Sequence, residues 1–147
     1  MTGVLLKVNQ ADFDHAERVL SRAINGNSRA FMDQVGDHVL AETLQNFMQE
    51  QTPGGKPWQT SERAKKEGGK TLQDSRRLFQ SYTYQANATM AEIGTNTIYA
   101  AIHHHGGKTG RNHATTLPAR PALGMTPEIQ GDLQQLHTDW MGGLLSG

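Results

Sequence analysis

The chain has 147 residues, 14 Lys or Arg balanced by 14 Asp or Glu, and no cysteine. That length supports one compact domain with a core of its own, and the lack of cysteine excludes disulfides, thiolate metal sites and cysteine nucleophiles. Aromatic residues make up only 6% of the chain, so the core is modest and neighbouring subunits can complete it.

The opening Met1 to Val8 lacks the long apolar region of a signal peptide, and no stretch approaches the roughly 20 apolar residues that span a bilayer. The expectation is a soluble protein made in the cytoplasm, with no membrane partner. Charge is unevenly placed: residues 52–122 hold ten Lys or Arg against four Asp or Glu, and the flanks hold four against ten. A basic middle between acidic ends suits head-to-tail stacking of subunits, or is ordinary solvated surface.

In chain order, Val4, Leu6 and Val8 alternate with Leu5 and Lys7 and predict a short strand. Asp12 caps a helix with Phe13, Ala16, Leu20 and Ile24 on its apolar face, which leaves through Asn25-Gly26. A second helix starts near Asn27 or Ser28. It places Phe31, Val35, Val39, Leu40, Leu44, Phe47 and Met48 on one stripe and stops at Thr52-Pro53-Gly54-Gly55. Lys56 to Lys70 reads as a solvated basic loop or a frayed helix, with Trp58 anchoring it on the core.

A short helix is expected over Leu72 to Phe79, starting near Asp74 or Ser75, with Leu78-Phe79 inward and Arg76 and Arg77 outward. Ser81 to Ala86 and Met90 to Gly94 are two β-prone runs at hairpin spacing, joined by Asn87-Ala88-Thr89. Tyr99 to Ile102 either continues the sheet or forms one helical turn, and Thr115-Thr116-Leu117 is a further strand ended by Pro118 and Pro121. A last helix begins at Pro127 after the Thr126 cap and carries Ile129, Leu133, Leu136 and Trp140, and Gly142-Gly143 frees the tail. The fold class that follows is α+β: helices on a short, mostly antiparallel sheet in one domain over 1–147, with flexible loops at about 52–70 and 105–114.

Three motifs stand out in this frame. Phe47-Met48-Gln49-Glu50-Gln51-Thr52-Pro53-Gly54-Gly55-Lys56-Pro57-Trp58 is a helix exit; Tyr99-Ala100-Ala101-Ile102-His103 precedes Gly106-Gly107; and Pro118-Ala119-Arg120-Pro121-Ala122-Leu123-Gly124 follows. Their order and spacing over most of the chain resemble the phage virion morphogenesis, or tail-completion, family of Mu-like and related contractile-tailed bacteriophages. Two departures are visible: Ala122 stands where the family usually has a large aromatic, and three histidines at 103 to 105 stand where it usually has one. The resemblance implies a structural virion protein of tail completion or of the neck where head and tail join. It would act as one subunit of a ring, six-fold by the family's setting, among other neck, connector or tail proteins. The competing structural role is a tail-terminator ring that caps the tail tube.

Candidate contact residues are basic. The basic regions Lys56 to Lys70, with Lys65 and Lys66, and Lys108 to Arg111 can line a DNA channel without sequence specificity or meet acidic faces of adjoining rings, and the outward Arg76 and Arg77 are further interface candidates. Arg120, held between two prolines that restrict its backbone, is the leading candidate. It would pair with an acidic group of an adjacent subunit, or clamp the C-terminal helix through Glu128 or Asp132.

His103, His104 and His105, with His113 nearby, invite a metal, because three neutral imidazoles can take zinc, nickel or copper. On a strand, His103 and His105 would share a face. No carboxylate lies between Glu92 and Glu128 to complete the shell or act as a base, so no metal and no cofactor is assigned, and His103 is read as a packing or interface residue. Asn112-His113 is too short a match for a His-Asn-His nuclease, and neither a nucleophile elbow nor a phosphate-binding loop is present. The expectation is a protein without catalytic residues, and a metal-dependent nuclease or hydrolase on the His103–His105 cluster is the enzymatic alternative.

Overall fold

A computed structural model describes residues 3–13, 29–72 and 77–146. Strand β1 (Val4–Asn9) is followed by a 3₁₀ turn (Gln10–Asp12), helix α1 (Arg29–Gln49), helix α2 (Glu62–Glu67) and helix α3 (Arg77–Ser81). Strands β2 (Thr83–Ala86) and β3 (Met90–Thr95) come next, then helix α4 (Ala100–His105) and strand β4 (Gly107–Thr109). A 3₁₀ turn (Arg111–His113), strand β5 (Thr115–Leu117) and helix α5 (Pro127–Ser146) complete the order. The α+β reading holds. The expected helix past Phe13, with Ala16, Leu20, Ile24 and Asn25-Gly26, lies outside the described residues, as do Asp74, Ser75 and Arg76.

The alternation of Val4, Leu6 and Val8 puts Val4 and Val8 in the core while Leu5 and Lys7 stay exposed, as a period of two requires. β3 is the central strand of an antiparallel sheet ordered β1-β3-β2, with Leu6 opposite Ile93 and Tyr84 opposite Ile93 on the other side. Asn87 closes the β2–β3 turn: its Oδ1 accepts from the Thr89 and Met90 amides, the local bonding that makes Asn a turn former.

α1 packs on β2 and β3, and α5 packs on α1. Phe31, Val35, Val39 and Phe47 are buried as the helical stripe predicts, and Leu40 and Leu44 are half-buried against the core. Met48 departs from the expectation: at the last turn it points outward and is 46% exposed. α5 starts where Thr126 Oγ1 accepts from the Ile129 amide at 3.1 Å and buries Ile129, Leu133 and Met141. It runs through Gly142-Gly143 to Ser146, contrary to the expected free tail, because glycine weakens a helix by about 1 kcal/mol per residue without forbidding it. Among the described residues no helix is long and apolar enough to cross a membrane.

Leu72 has a positive φ of 63°, in the left-handed region, so the helix expected over Leu72 to Phe79 does not include it, and the described part of α3 is Arg77–Ser81. Two further segments carry more regular structure than the loops expected. Within 52–70, α2 is a capped turn of helix, with Ser61 Oγ accepting from the Ala64 amide. Residues 105–114, expected as an exposed loop, instead carry β4 and the 3₁₀ turn of a hairpin that pairs Gly107 with Leu117 and Thr109 with Thr115.

Helix α1 reaches the sheet through Gly36, where a Cβ would lie 2.3 Å from Tyr84 Cδ2. Alanine would add up to about 1 kcal/mol of helix propensity, but overpacking an aromatic ring costs roughly 1–3 kcal/mol. Gly36→Ala is therefore expected to destabilise the protein in urea unfolding. In a Tyr84→Ala background the same change becomes neutral or stabilising, since only the propensity term remains.

Candidate functional site

The three sequence motifs converge on one region. At the exit of α1, Glu50 turns left-handed (φ 52°) and the Thr52–Lys56 turn closes with Thr52 donating to Lys56 O at 2.8 Å and Lys56 to Thr52 Oγ1 at 3.1 Å. This turn reverses the chain, so that the Trp58 amide bonds Glu50 O at 2.8 Å and its indole enters the core. Trp58 is buried edge-on against Phe47, with ring centroids 5.4 Å apart, and its Nε1 donates to Pro121 O at 2.8 Å. It anchors the loop as the sequence predicts.

The Pro118–Gly124 segment is tied from both sides. Asn46 Nδ2 donates to Ala122 O at 2.9 Å, and the Arg120 amide donates to His103 O at 2.8 Å. Gly124 approaches Pro53 so closely that a Cβ would lie 2.9 Å from Pro53 Cγ. Gly106, in the left-handed region at φ 73°, faces the Ala119 amide, 2.7 Å from where a Cβ would stand. Glycine is the residue that fits both the conformation and the contact. Ala122 is buried, and its carbonyl, not its side chain, makes the bond to Asn46.

Arg120 does not clamp the C-terminal helix. It is 5% exposed, and its Nε donates to Gln59 O at 2.8 Å. It bonds neither Glu128 nor Asp132 but fastens the residue after Trp58, and burial lowers its pKa. The clamp is intrachain, with a different partner from the one sequence proximity suggested.

Of the other candidates, Lys65, Lys66, Lys108 and Arg111 are exposed, on α2, β4 and the 3₁₀ turn. Lys65 reaches Glu62 at 3.4 Å on its own helix, and Arg77 is exposed at the start of α3. Arg76 lies outside the described residues.

Tyr99 is the N-cap of α4 and Ala100 to Ile102 are helical, so His103, His104 and His105 sit on one helical turn, not on a strand. His103 packs its ring on Tyr99 and keeps a buried Nδ1 without a partner; His104 and His105 have ring centroids 4.6 Å apart. His113 is exposed in the hairpin turn. Among the described residues these histidines form no three-ligand cluster. The group that does is His38 and Glu42 of α1 with Asp132 of α5, their ligand atoms within 4.8 Å of one another, and His38 Nε2 lies 3.1 Å from Asp132 Oδ2. The i, i+4 spacing of His38 and Glu42 was legible in sequence, but their approach to Asp132 was not.

Reasoning from sequence also passed over His137, fully buried and stacked on Phe13 at 4.8 Å, and the buried Asn46 and Thr71. Thr71 Oγ1 accepts from the Ser61 amide, and its own amide donates to Glu50 Oε1 at 2.7 Å, pinning the basic segment to the end of α1. Nothing in a single sequence marks such polar residues as buried.

A family model described as the phage virion morphogenesis family matches residues 8–141. The chain belongs to the phage virion morphogenesis family. It is 42% identical over 110 residues to "Mu-like prophage FluMu G protein 2" of Haemophilus influenzae (strain ATCC 51907 / DSM 11121 / KW20 / Rd), an alignment covering 74% of this chain and 75% of that protein. No solved structure matches. A virion morphogenesis protein has a structural role in phage assembly, and the side chains of Glu50, Gln51, Thr52, Trp58 and Arg120 in the converging motifs each make an intrachain hydrogen bond.

Two outcomes test this site. Trp58→Phe keeps the ring but removes the donor to Pro121 O, and is expected to cost about 1–3 kcal/mol in urea unfolding; combined with Asn46→Ala it is non-additive, because both bond the same segment. Burial lowers the pKa of His103, with the Arg120 charge second, and burial lowers that of His104, with His105 second. The unfolded chain therefore takes up these protons first, near pH 6.5, and stability falls as pH drops from there through the folded values. The unfolding midpoint should decline between pH 7 and 5, and His103→Asn/His104→Asn should flatten that slope.

Proposed function

We propose that this virion morphogenesis protein is a ring subunit of the head–tail joining region, acting in tail completion or the neck. The observation that carries the reading is the division of charge between elements. Exposed Asp37, Glu128, Asp132 and Asp139 outnumber the one exposed Arg29 on the long helices α1 and α5, while exposed Lys56, Lys65, Lys66, Lys70, Lys108 and Arg111 outnumber Glu62 and Glu67 on the segments between them. Acidic elements of one subunit can then meet basic segments of the next, an arrangement that repeats head to tail and closes into a ring when the rotation permits. A six-fold ring matches a tail tube, and basic segments turned inward would face the DNA passing through.

Light scattering over a concentration series measures the species formed. A discrete mass near six subunits is expected, with assembly weakened by added salt as screening shortens the reach of exposed charges. Reversal of Lys65 and Lys66 to Glu should abolish assembly while leaving the circular dichroism spectrum unchanged. A strict monomer that fails to enter rings even with isolated tails or head connectors would overturn the proposal. Capture by tail tubes without head connectors would point instead to a terminator ring.

A further inference from the structure

Beside the motif junction lies a cavity of about 280 Å³ whose wall includes Arg120, Arg63 and His103 together with Tyr99, Leu72 and Leu117. Arg120 is 5% exposed, and its single hydrogen bond from the side chain runs from Nε to Gln59 O. Among the described residues the two terminal nitrogens have no partner, yet they are not among the polar atoms sealed from solvent; they open onto the cavity. The ion pairs Lys7–Glu92, His38–Asp132 and Lys65–Glu62 lie elsewhere, and none of them reaches Arg120. His103 adds a buried Nδ1 with no partner at the same wall.

A guanidinium stays charged at any physiological pH, and a buried charge lacking a counter-ion is costly unless something pairs with it. An anion entering this cavity gains charge-assisted bonds from the free fork of Arg120. The apolar part of the wall, from Tyr99, Leu72 and Leu117, suits a short aliphatic stem better than a phosphate, whose neighbours in a nucleic-acid strand could not follow it into a recess of this size.

We infer that this cavity is a binding site for a protein carboxylate, the side chain of an Asp or Glu that enters past Tyr99 and pairs with Arg120. The inference stands on the cavity and the unbalanced charge, independently of where in the virion the protein sits. Two sources supply that chemistry: the exposed acidic residues of α1 and α5 on a second copy, or an acidic side chain of another virion protein.

The test uses the full chain and a small probe, N-acetyl-glutamate N-methylamide, with the glutamine analogue as control, followed by nitrogen NMR of the Arg120 guanidinium and the His103 ring. Saturable shifts of both signals are expected with the glutamate probe and none with the glutamine analogue. Arg63→Gln should weaken the response several-fold. Equal responses to both probes, or none to either up to their solubility limits, would overturn the inference. Arg120→Lys, where it folds, should keep a weaker response; where it does not, the wild-type titration still decides. The source is read in a second arm. Arg120 and His103 shifts that grow with protein concentration without probe, and vanish in Asp37→Asn/Glu128→Gln/Asp132→Asn, assign the second copy. Shifts seen with probe alone assign a different virion protein.

Discussion

The indole N–H of Trp58 bonds a proline carbonyl 63 residues further along the chain, and most of what is distinctive in the molecule is arranged so that this bond can form. The left-handed exit of α1 and the Thr52–Lys56 turn bring the ring back beneath Phe47. The proline-restricted segment from Pro118 presents its carbonyls at a fixed spacing, one to Trp58 and the next to Asn46. Burying an aromatic ring stabilises by a few kcal/mol at most, yet here the same ring fixes the position of two loops whose ends are otherwise far apart in sequence. Without that closure the helices would still have a core, but the basic segment and the hairpin would lose their common anchor.

Closure of this kind gives a motif rich in Pro, Gly and Arg a structural part. Arg120 holds Gln59 O through Nε, its backbone holds His103 O, Gly106 lets the backbone at Leu117–Ala119 approach, and Gly124 makes room for the Pro53 ring. Such sites persist because each member is satisfied by the others, and a partly satisfied network costs more than an apolar core. The fork of Arg120 and the Nδ1 of His103 are exceptions to that satisfaction, and both lie where the cavity opens.

The layering sets where charge can go. α1 lies between the sheet and α5, so its apolar side is consumed on two faces and its remaining surface, with Asp37, is acidic. The segments 56–70 and 107–117 cover little core and carry their lysines and arginine outward. Exposed charges of that kind contribute little to folding and much to the choice and orientation of partners.

Periodicity made much of the fold legible. The alternation in β1, the stripe of α1, the hairpin of β2 and β3, the strand at Thr115 and the Thr126 cap of α5 are all local patterns, and each is enforced by which residues one turn or one pleat places together. The three motifs and the family were legible too, because they are strings of residues in order. What the sequence alone did not determine is contact between distant parts. That Met48 faces outward, that Arg120 clamps Gln59 instead of the C-terminal helix, that the triple histidine winds into a helix, and that His38, Glu42 and Asp132 meet are decided by the packing of α1 on the sheet and α5 on α1. Local propensities set the elements; only the tertiary arrangement decides which polar groups are buried and must therefore find a partner.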